Sequence, residues 1–344
     1  MTTLSDVAKL AGVSTMTVSR VVNSSGYASP DAKARVKRAI DELGYMPNGL
    51  ARQLRAKRTD TIALVVTDIR NPFFTTIAGG VEDTARSRGY AVMFCNTYES
   101  EEEEAAYIRV LIERRVDGVL LVPAGGAGNS VRMLQAHGMP TVVLDRHLDD
   151  VEADEVRGDS RAGAYAVVRH LTELGHRNIA ILTGPEGVST STDRVAGYRE
   201  ALLEACPGGR CGQIIFGEFN EASGYSMARE VLQGDRRPTA IFAANNFIAY
   251  GAMRALHEFG LGIPEDVSVA VFDDLPPGWV MDPFFTVVSQ PAYEIGTEAA
   301  NLLLERLAGE APGEPRSIIL PSEVIVRRST AAPRPLDHDP RTSE

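Results

Sequence analysis

Cysteine is scarce in this 344-residue sequence, and long apolar runs are absent. The three cysteines, Cys95, Cys206 and Cys211, are too few for a disulfide scaffold, and an odd number is typical of a reducing compartment. No stretch of about 18 apolar residues occurs, which argues against a membrane-spanning helix. The first residues show no basic segment followed by an apolar one, so we expect no secretory signal. These absences predict a cytoplasmic protein.

The motifs of catalysis and of cofactor binding are missing as well. No glycine-rich phosphate-binding loop ending in Gly-Lys-Ser/Thr is present. Cys206 and Cys211 lack the spacing and the histidine partners of a zinc site, so we expect them to be thiols in a loop. No nucleophile stands in a pattern with a paired carboxylate. The sequence therefore predicts a protein that has no metal, no cofactor and no enzymatic activity.

Lysine does not occur after position 57, and the charge is distributed unevenly. The formal net charge of −11, taken alone, argues against nucleic acid as a partner. Residues 1–60, however, hold 10 Lys and Arg against 5 Asp and Glu, whereas residues 61–344 hold 25 against 41. The net charges of these segments are therefore +5 and −16. A basic head joined to an acidic body indicates that the head is the part that meets nucleic acid.

The first 45 residues predict three short helices with the spacing of a helix-turn-helix motif. Thr3 caps the first helix, and Gly12 ends it in a tight turn. Ser14 caps the second helix, which runs over residues 15–22. The third helix ends at Gly44. In this arrangement the valines of the second helix face the first helix, and its polar side chains face outward.

The outward face of the second helix carries residue types that read base edges in the major groove. Arg20 has two N–H groups for guanine O6 and N7, and Thr15 and Met16 suit thymine methyl groups. The serine and threonine hydroxyls suit phosphates. The alternative is a small helical bundle that contacts another protein. The DNA-contacting residues predicted here are Ser14, Thr15, Met16, Thr17, Ser19, Arg20 and Asn23.

From Thr61 onward, short runs rich in β-branched residues alternate with helical patterns. Alternation of this kind over about 220 residues predicts parallel sheets covered by helices on both faces, in one sheet or two. The polar tail from Ala331 contains proline, and we expect it to be disordered. The predicted strands are residues 61–67, 91–96, 118–122, 141–145, 179–183, 214–216, 239–243, 267–272 and 317–326.

Two segments together identify a family. LSDVAKLAGVSTMTVSRVVN resembles the opening of LacI/GalR-family transcription regulators, and YMPNGLARQLRAKRTDTIALVV resembles their hinge helix and the first strand of their sensor domain. The resemblance covers about residues 2–330. It implies an α/β chain with an N-terminal all-α helix-turn-helix domain and a two-lobed, parallel-sheet domain like that of periplasmic sugar-binding proteins. The implied divisions are residues 1–46 for the DNA-binding domain, 47–60 for the hinge helix and linker, 61–330 for the effector-binding and dimerisation domain, and 331–344 for the tail.

The resemblance also implies how the body and the hinge are built. The chain is expected to cross between the lobes near residues 159–161, 289–291 and 319–322. Lobe one then holds about residues 61–159 and 291–319, and lobe two holds about 160–289 and 320–330. In the hinge, Leu54 matches the leucine that enters the minor groove at the central base step, where apolar wedges bend DNA. Ala51 and Arg55 match neighbouring hinge positions that contact DNA. The alternative for Leu54 is a packing residue of its own domain.

Polar and aromatic residues follow several predicted strands, where open α/β sheets bind ligands. Asn71 suits a sugar hydroxyl, Phe73 or Phe74 suits the C–H face of a sugar ring, and Asp145 beside Arg146 suits adjacent hydroxyls. The alternative is ordinary turn and cap chemistry. Nearly the whole set matches, by resemblance, the ligand residues of ribose-type binding proteins, although Asn246 stands where the family often has Asp. The predicted effector-binding residues are Asn71, Phe73, Phe74, Asp145, Arg146, Asp159, Arg194, Phe219, Asn245, Asp273 and Gln290.

The function that these observations predict is a ligand-responsive, sequence-specific repressor of sugar-utilisation genes. Its expected partners are double-stranded operator DNA, a monosaccharide or sugar-derivative inducer and a second copy of the chain, with no membrane. The resemblance implies a bacterial protein associated with the nucleoid. Three alternatives stay open, namely a regulator with a purine or nucleoside co-repressor, a sugar-binding protein without a regulatory role, and an enzyme acting on a sugar.

Overall fold

The computed structural model describes residues 2–22, 25–46, 58–208, 211–275, 282–311 and 313–334. The chain divides into two compact units, Met1–Thr59 and Asp60–Glu344. We call them the head and the body, and each is described by itself.

The head is built from three helices around a small apolar core. Thr3 and Asp6 cap the first helix reciprocally, and Gly12 ends it with a left-handed φ of 63°. Val7, Val18 and Val36, one from each helix, are fully buried. These contacts give the helix-turn-helix arrangement that the spacing predicts. The helices are α1 (Leu4–Ala11), α2 (Thr15–Val22) and α3 (Pro30–Leu43).

Lobe one of the body contains a six-stranded, wholly parallel sheet in the order β11-β5-β4-β3-β1-β2. Its central strands are apolar throughout because helices cover both faces. The strands are β1 (Thr61–Val66), β2 (Ala91–Asn96), β3 (Gly118–Leu121), β4 (Thr141–Leu144), β5 (Asp154–Gly158) and β11 (Ser317–Leu320), and the helices are α4 (Pro72–Ser87), α5 (Glu101–Arg114), α6 (Asn129–Ala136) and α11 (Ala292–Ala308).

Lobe two repeats this architecture with the order β12-β10-β9-β8-β6-β7, in which only β12 is antiparallel to its neighbour among the described strands. Its central strands β6, β8 and β9 are likewise buried between helices. The strands are β6 (Ile179–Thr183), β7 (Gln213–Phe216), β8 (Ala240–Ala243), β9 (Ser268–Phe272), β10 (Thr286–Ser289) and β12 (Glu323–Ile325), and the helices are α7 (Ser160–Glu173), α8 (Ser189–Ala205), α9 (Glu221–Gln233) and α10 (Asn246–Glu258).

The chain passes between the lobes three times, between β5 and α7, between β10 and α11, and between β11 and β12. The prediction of one strand over residues 317–326 is wrong, because its two halves pair in different sheets. Strands β5 and β10 did not come from the sequence pattern, and β5 in particular contains three charged residues. Both lie beside a crossing.

Two further expectations are wrong. Cys206 and Cys211 are not free thiols, because a disulfide joins them across a Cα–Cα distance of 6.3 Å, within reach of such a bond. The tail is ordered up to Arg334, since the Ala331 N–H donates to Ser268 Oγ and the Ala331 carbonyl lies 2.8 Å from His176 Nε2. Residues 335–344 lie outside the described residues. In the part of the chain that the structure describes, no helix is long and apolar enough to cross a membrane.

Candidate effector cleft and DNA-recognition face

The outward face of α2 carries the predicted DNA-contacting residues. Ser14 Oγ accepts from the Thr17 N–H at 3.2 Å, which caps the helix and orients its first turn. Met16 is 63% exposed, and Arg20, one turn later, is also exposed, with its Nη2 3.7 Å from Met16 Sδ. Thr15 is exposed as well, whereas Thr17 and Ser19 are partly covered. The predicted residues Asn23, Ala51, Leu54 and Arg55 lie outside the described residues.

A cleft between the two lobes lies at the carboxyl ends of the parallel strands, where their loops face each other. Nine of the eleven predicted effector-binding residues line it. Four lining residues were not predicted, namely Asp68, Glu99, Thr190 and Phe247. The complete lining is Asp68, Asn71, Phe73, Phe74, Glu99, Asp145, Arg146, Thr190, Arg194, Phe219, Asn245, Phe247 and Asp273.

Two carboxylates occupy equivalent places in the two lobes. Asp145 directly follows β4 and Asp273 directly follows β9, and both have left-handed backbone, with φ values of 61° and 73°. Residues other than glycine adopt this conformation at a cost, and such strain clusters at functional sites. Asp145 and Asp273 are also buried. The fold therefore holds two carboxylates in costly positions at the ends of central strands.

Each carboxylate has a buried arginine near it. Arg194 donates from Nη1 to the Ala244 carbonyl at 2.5 Å, and its guanidinium lies 3.8 Å from the centre of the Phe272 ring. Arg146 donates from Nη1 to the Pro123 carbonyl at 2.6 Å and from Nη2 to Glu99 at 2.9 Å. Backbone carbonyls and a ring thus fix both guanidinium groups from behind.

Burial dominates the ionisation of this cluster. Burial raises the pKa of Asp273 to about 6, against the opposing effects of Arg194 and of the Gln290 hydrogen bond. Burial also raises the pKa of Asp145, which both cleft arginines oppose, and it lowers the pKa of Arg194. The cleft therefore places acceptors and donors side by side away from water, where each hydrogen bond to a ligand is strengthened.

Several buried polar atoms in and beside the cleft have hydrogen-bonding capacity to spare. Within the described residues, Asp145 Oδ1, Arg146 Nε, Arg194 Nε and Gln290 Oε1 make no hydrogen bond. Buried polar groups in native proteins are nearly always paired, and those that are not call for an explanation such as a ligand site. Acceptors and donors together match sugar hydroxyls, each of which both donates and accepts.

Aromatic rings from both lobes complete the lining. Phe73 and Phe74 of lobe one lie edge to face, with ring centres 5.2 Å apart. Phe219 and Phe247 come from lobe two. The Arg146 guanidinium lies 5.5 Å from the centre of the Phe219 ring, so a ring of one lobe reaches a cation of the other. Apolar ring faces beside polar groups suit a molecule with both C–H faces and hydroxyls.

Two of the predicted residues do not line the cleft. Asp159 accepts from the Ala162 N–H at 2.9 Å and caps α7. Gln290 stands behind the lining and donates from Nε2 to Asp273 Oδ1 at 2.7 Å, so it orients that carboxylate. Asn245 lines the cleft and also caps α10 by accepting from the Ile248 N–H. Asn246, a position at which the resemblance leads us to expect Asp, is buried within lobe two.

The comparisons with known proteins agree on both parts of the chain. Residues 3–48 match the family described as "Bacterial regulatory proteins, lacI family". Residues 59–328 match "Periplasmic binding proteins and sugar binding domain of LacI family". Over 331 residues the chain is 37% identical to "HTH-type transcriptional repressor PurR" of Vibrio atlanticus, across 96% of this chain and 98% of that protein. Over 330 residues it is 36% identical to "Ribose operon repressor" of Halalkalibacterium halodurans, across 96% and 97%.

Two solved structures are similar along the whole chain. The lac repressor dimer bound to operator and the anti-inducer ONPF matches with a TM-score of 0.84 and 28% identity, across 96% of this chain and 99% of that one. The complex of the transcriptional regulator CelR with cellobiose matches with a TM-score of 0.72 and 36% identity, across 96% and 100%. The likeness therefore includes the head as well as the two lobes.

Proposed function

The chain belongs to the LacI family of bacterial regulatory proteins, and from this premise we propose that it is a homodimeric repressor of sugar-utilisation genes, induced by a monosaccharide. As a member of this family it is a ligand-responsive, DNA-binding regulator of transcription. Residues 1–46 are proposed to bind the operator through α2, residues 47–60 to form the hinge, and residues 61–330 to bind the effector and the second copy. Two-fold symmetry then requires a pseudo-palindromic operator.

One observation carries the choice of effector. The carboxylates of Asp145 and Asp273 and the guanidinium groups of Arg146 and Arg194 line the same cleft, together with phenylalanine rings. A neutral polyol satisfies both kinds of group with the same hydroxyls, whereas an anion opposes the carboxylates. The likeness to a ribose operon repressor and to a cellobiose complex supports the same choice.

A purine or nucleoside co-repressor is the second candidate, because the chain is 37% identical to a protein named PurR. A purine offers ring nitrogens and a flat face, so it uses the phenylalanine rings but leaves more of the carboxylates and arginines unpaired. Leaving such groups unpaired costs about 1–3 kcal/mol each, which favours the sugar. We further propose that the cleft binds without catalysing, and turnover assays on each bound ligand test this.

A thermal-shift screen with monosaccharides, sugar acids, purine bases and nucleosides tests the effector class. We expect at least one neutral monosaccharide to raise the unfolding temperature in a concentration-dependent way. Asp273→Asn should abolish this shift, and Asp235→Asn, which makes the same change at an exposed position of lobe two, should retain it. A shift with purines alone would replace the sugar by the co-repressor.

A further inference from the structure

A second set of polar contacts joins the lobes outside the lining of the cleft. Asp193 lies in α8 of lobe two, directly before the lining residue Arg194, and His147 lies in lobe one, directly after the lining residue Arg146. Asp193 Oδ2 is 3.8 Å from His147 Nδ1 and 3.7 Å from Arg157 Nη1. One carboxylate oxygen of lobe two thus faces two basic groups of lobe one.

A direct hydrogen bond between the lobes lies beside these groups. The His147 backbone N–H donates to the Ser189 hydroxyl at 3.0 Å. Ser189 begins α8, the helix that also carries Thr190 and Arg194 into the cleft. Contacts at this end of α8 therefore place two lining residues relative to lobe one.

The distances from Asp193 Oδ2 to His147 Nδ1 and to Arg157 Nη1 are too long for hydrogen bonds. Hydrogen-bonded N···O pairs lie at about 2.7–3.2 Å. His147 Nδ1, the ring atom that faces Asp193, is buried and makes no hydrogen bond within the described residues. A movement of less than about one ångström between the lobes would bring Asp193 into hydrogen-bonding range of both side chains. A tighter closure of the lobes would therefore form hydrogen bonds that Asp193 does not make with these side chains in this conformation.

The charged neighbours of the two basic groups do not replace Asp193. Asp149 Oδ1 lies 3.6 Å from His147 Nε2, but its side chain is 95% exposed. Glu155 Oε1 lies 3.5 Å from Arg157 Nε, and both residues belong to β5 of lobe one. Asp193, at 22% exposure, is the acid among these three that comes from the other lobe.

We propose that Asp193 is a positioning residue which, with His147, Arg157 and Ser189, forms a lobe clasp that stabilises the closed lobes without touching the effector. The proposal rests on the proposed function, because its consequence is a change in effector affinity. A ligand that binds only the closed state has its apparent affinity reduced by the fraction of protein that is open. The clasp therefore sets how much effector is needed.

Asp193→Asn tests the clasp, since it removes the charge and keeps the shape. We expect the apparent Kd of the effector to rise about three- to tenfold, as one partly exposed ion pair with Arg157 and one polar contact with His147 are lost. Without effector, the distance between spin labels on α5 and α9 should shift toward the open state, and saturating effector should restore the closed distance. Glu200→Gln is the matched control, because Glu200 lies in the same helix but pairs with Arg161 within lobe two. It should change neither quantity.

Exchange of the charges provides a second variant. Asp193→Arg should open the lobes, and the added Arg157→Asp should restore part of the closed population, which a purely structural role of Asp193 does not predict. Unchanged Kd and label distances in Asp193→Asn, or equal effects of Glu200→Gln, would overturn the clasp. If no monosaccharide binds the unmodified protein, the proposed function fails, while the label distances without effector still decide the clasp.

Discussion

At the scale of single residues, Asp145 and Asp273 show that the fold accepts energetically costly features in order to form the cleft. Each is buried, carries left-handed backbone and ends a central strand. Burial of a carboxylate and left-handed backbone each cost free energy, and within the described residues no other strand end combines the two. Substitutions at Asp145 and Asp273 are therefore the most direct tests of the proposed effector binding.

Effector binding should weaken as the pH falls through about 6. Burial raises the pKa of Asp273 to about 6, so its carboxylate accepts hydrogen bonds above that pH and is protonated below it. Isothermal titration at pH 7 and pH 5 should show an affinity loss of about tenfold for one such proton. Asp273→Asn should show no measurable effector binding at either pH. A flat profile for the unmodified protein would remove Asp273 from the binding equilibrium.

The same shift makes the unliganded body more stable in mild acid. The folded pKa of Asp273 lies above the usual value of 3.8, so between about pH 6 and 4 the folded state binds more protons than the unfolded state. The contribution of this group to stability therefore grows as the pH falls through that window. Denaturant unfolding of the unmodified protein and Asp273→Asn should differ in their pH dependence there.

Arg20→Ala should relax sequence preference at one base pair of each half-site. We propose that the exposed Arg20 guanidinium on α2 reads a guanine, and its loss should then cost about 1–3 kcal/mol at that position. Binding selections on randomised duplexes measure the preference. Arg38→Ala, an equal change of charge on α3, should weaken binding evenly across sequences at most. An unchanged preference in Arg20→Ala would refute the base contact.

Most of the cleft lining was predictable from polar residues that follow strands, together with the resemblance to ribose-type binding proteins, which supplied residues such as Arg194 within α8. Sequence reasoning missed Glu99 and Phe247, whose positions depend on how β2 and α10 pack and not on a local motif. Asp159 shows the opposite error, since a polar residue after a strand became a helix cap. Whether such a residue only caps a helix or also lines the cleft depends on how the neighbouring strand and helix are assigned to the two lobes. A single sequence does not show that assignment.

At the scale of elements, close helix packing rests on glycines. Gly80 of α4 meets α11, and a Cβ at this position would overlap the Tyr293 carbonyl oxygen. At the adjacent Gly79, the nearest atom to such a Cβ belongs to the Tyr293 ring, at 3.9 Å. Gly79 and Gly80 therefore differ in the space available for a Cβ, although both are glycines of the same helix.

Gly80→Ala should lower the free energy of unfolding by about 1–3 kcal/mol, because overpacking forces α4 and α11 apart. Gly79→Ala, the matched change, should leave it unchanged or raise it by up to about 1 kcal/mol through helix propensity. Urea unfolding of the body measures both. Equal losses of unfolding free energy in the two variants would show that the contact between α4 and α11 is not the reason why Gly80 tolerates no side chain.

The hinge is the element for which the prediction comes from resemblance alone. Leu54→Ala should weaken specific operator binding while leaving effector binding intact, because the proposed wedge meets DNA and not the body. Anisotropy with operator duplex and calorimetry with effector measure the two separately. Loss of both would make Leu54 a packing residue of its own domain.

The element order was predictable from the sequence, whereas the sheet assignment was less so. Alternating apolar strands and helical patterns predicted a parallel α/β body, and the structure has two such sheets. The segment 317–326 looks like one strand because both halves share the same residue types, yet β11 and β12 pair in different lobes. The sheet to which each half belongs is decided by pairing with strands that are distant in the sequence. The local sequence pattern does not indicate that pairing.

At the scale of the whole molecule, the division of charge fits the proposed division of work. Residues 1–60 carry a net charge of +5 and residues 61–344 a net charge of −16, so phosphates attract the first segment and repel the second. An acidic body does not conflict with DNA binding when the basic charge is confined to the part that approaches DNA. Salt dependence of operator binding should therefore follow the head's Lys and Arg residues.

Occupancy of the cleft is proposed to change operator affinity. This proposal is tested most directly by fluorescence anisotropy of a labelled pseudo-palindromic duplex, selected with this protein, at zero and at saturating monosaccharide. We predict an operator Kd about 5- to 150-fold weaker with the sugar, and an equal loss of sugar affinity when operator is bound. Asp273→Asn should bind operator and ignore the sugar. An operator Kd that saturating sugar leaves unchanged would contradict the account.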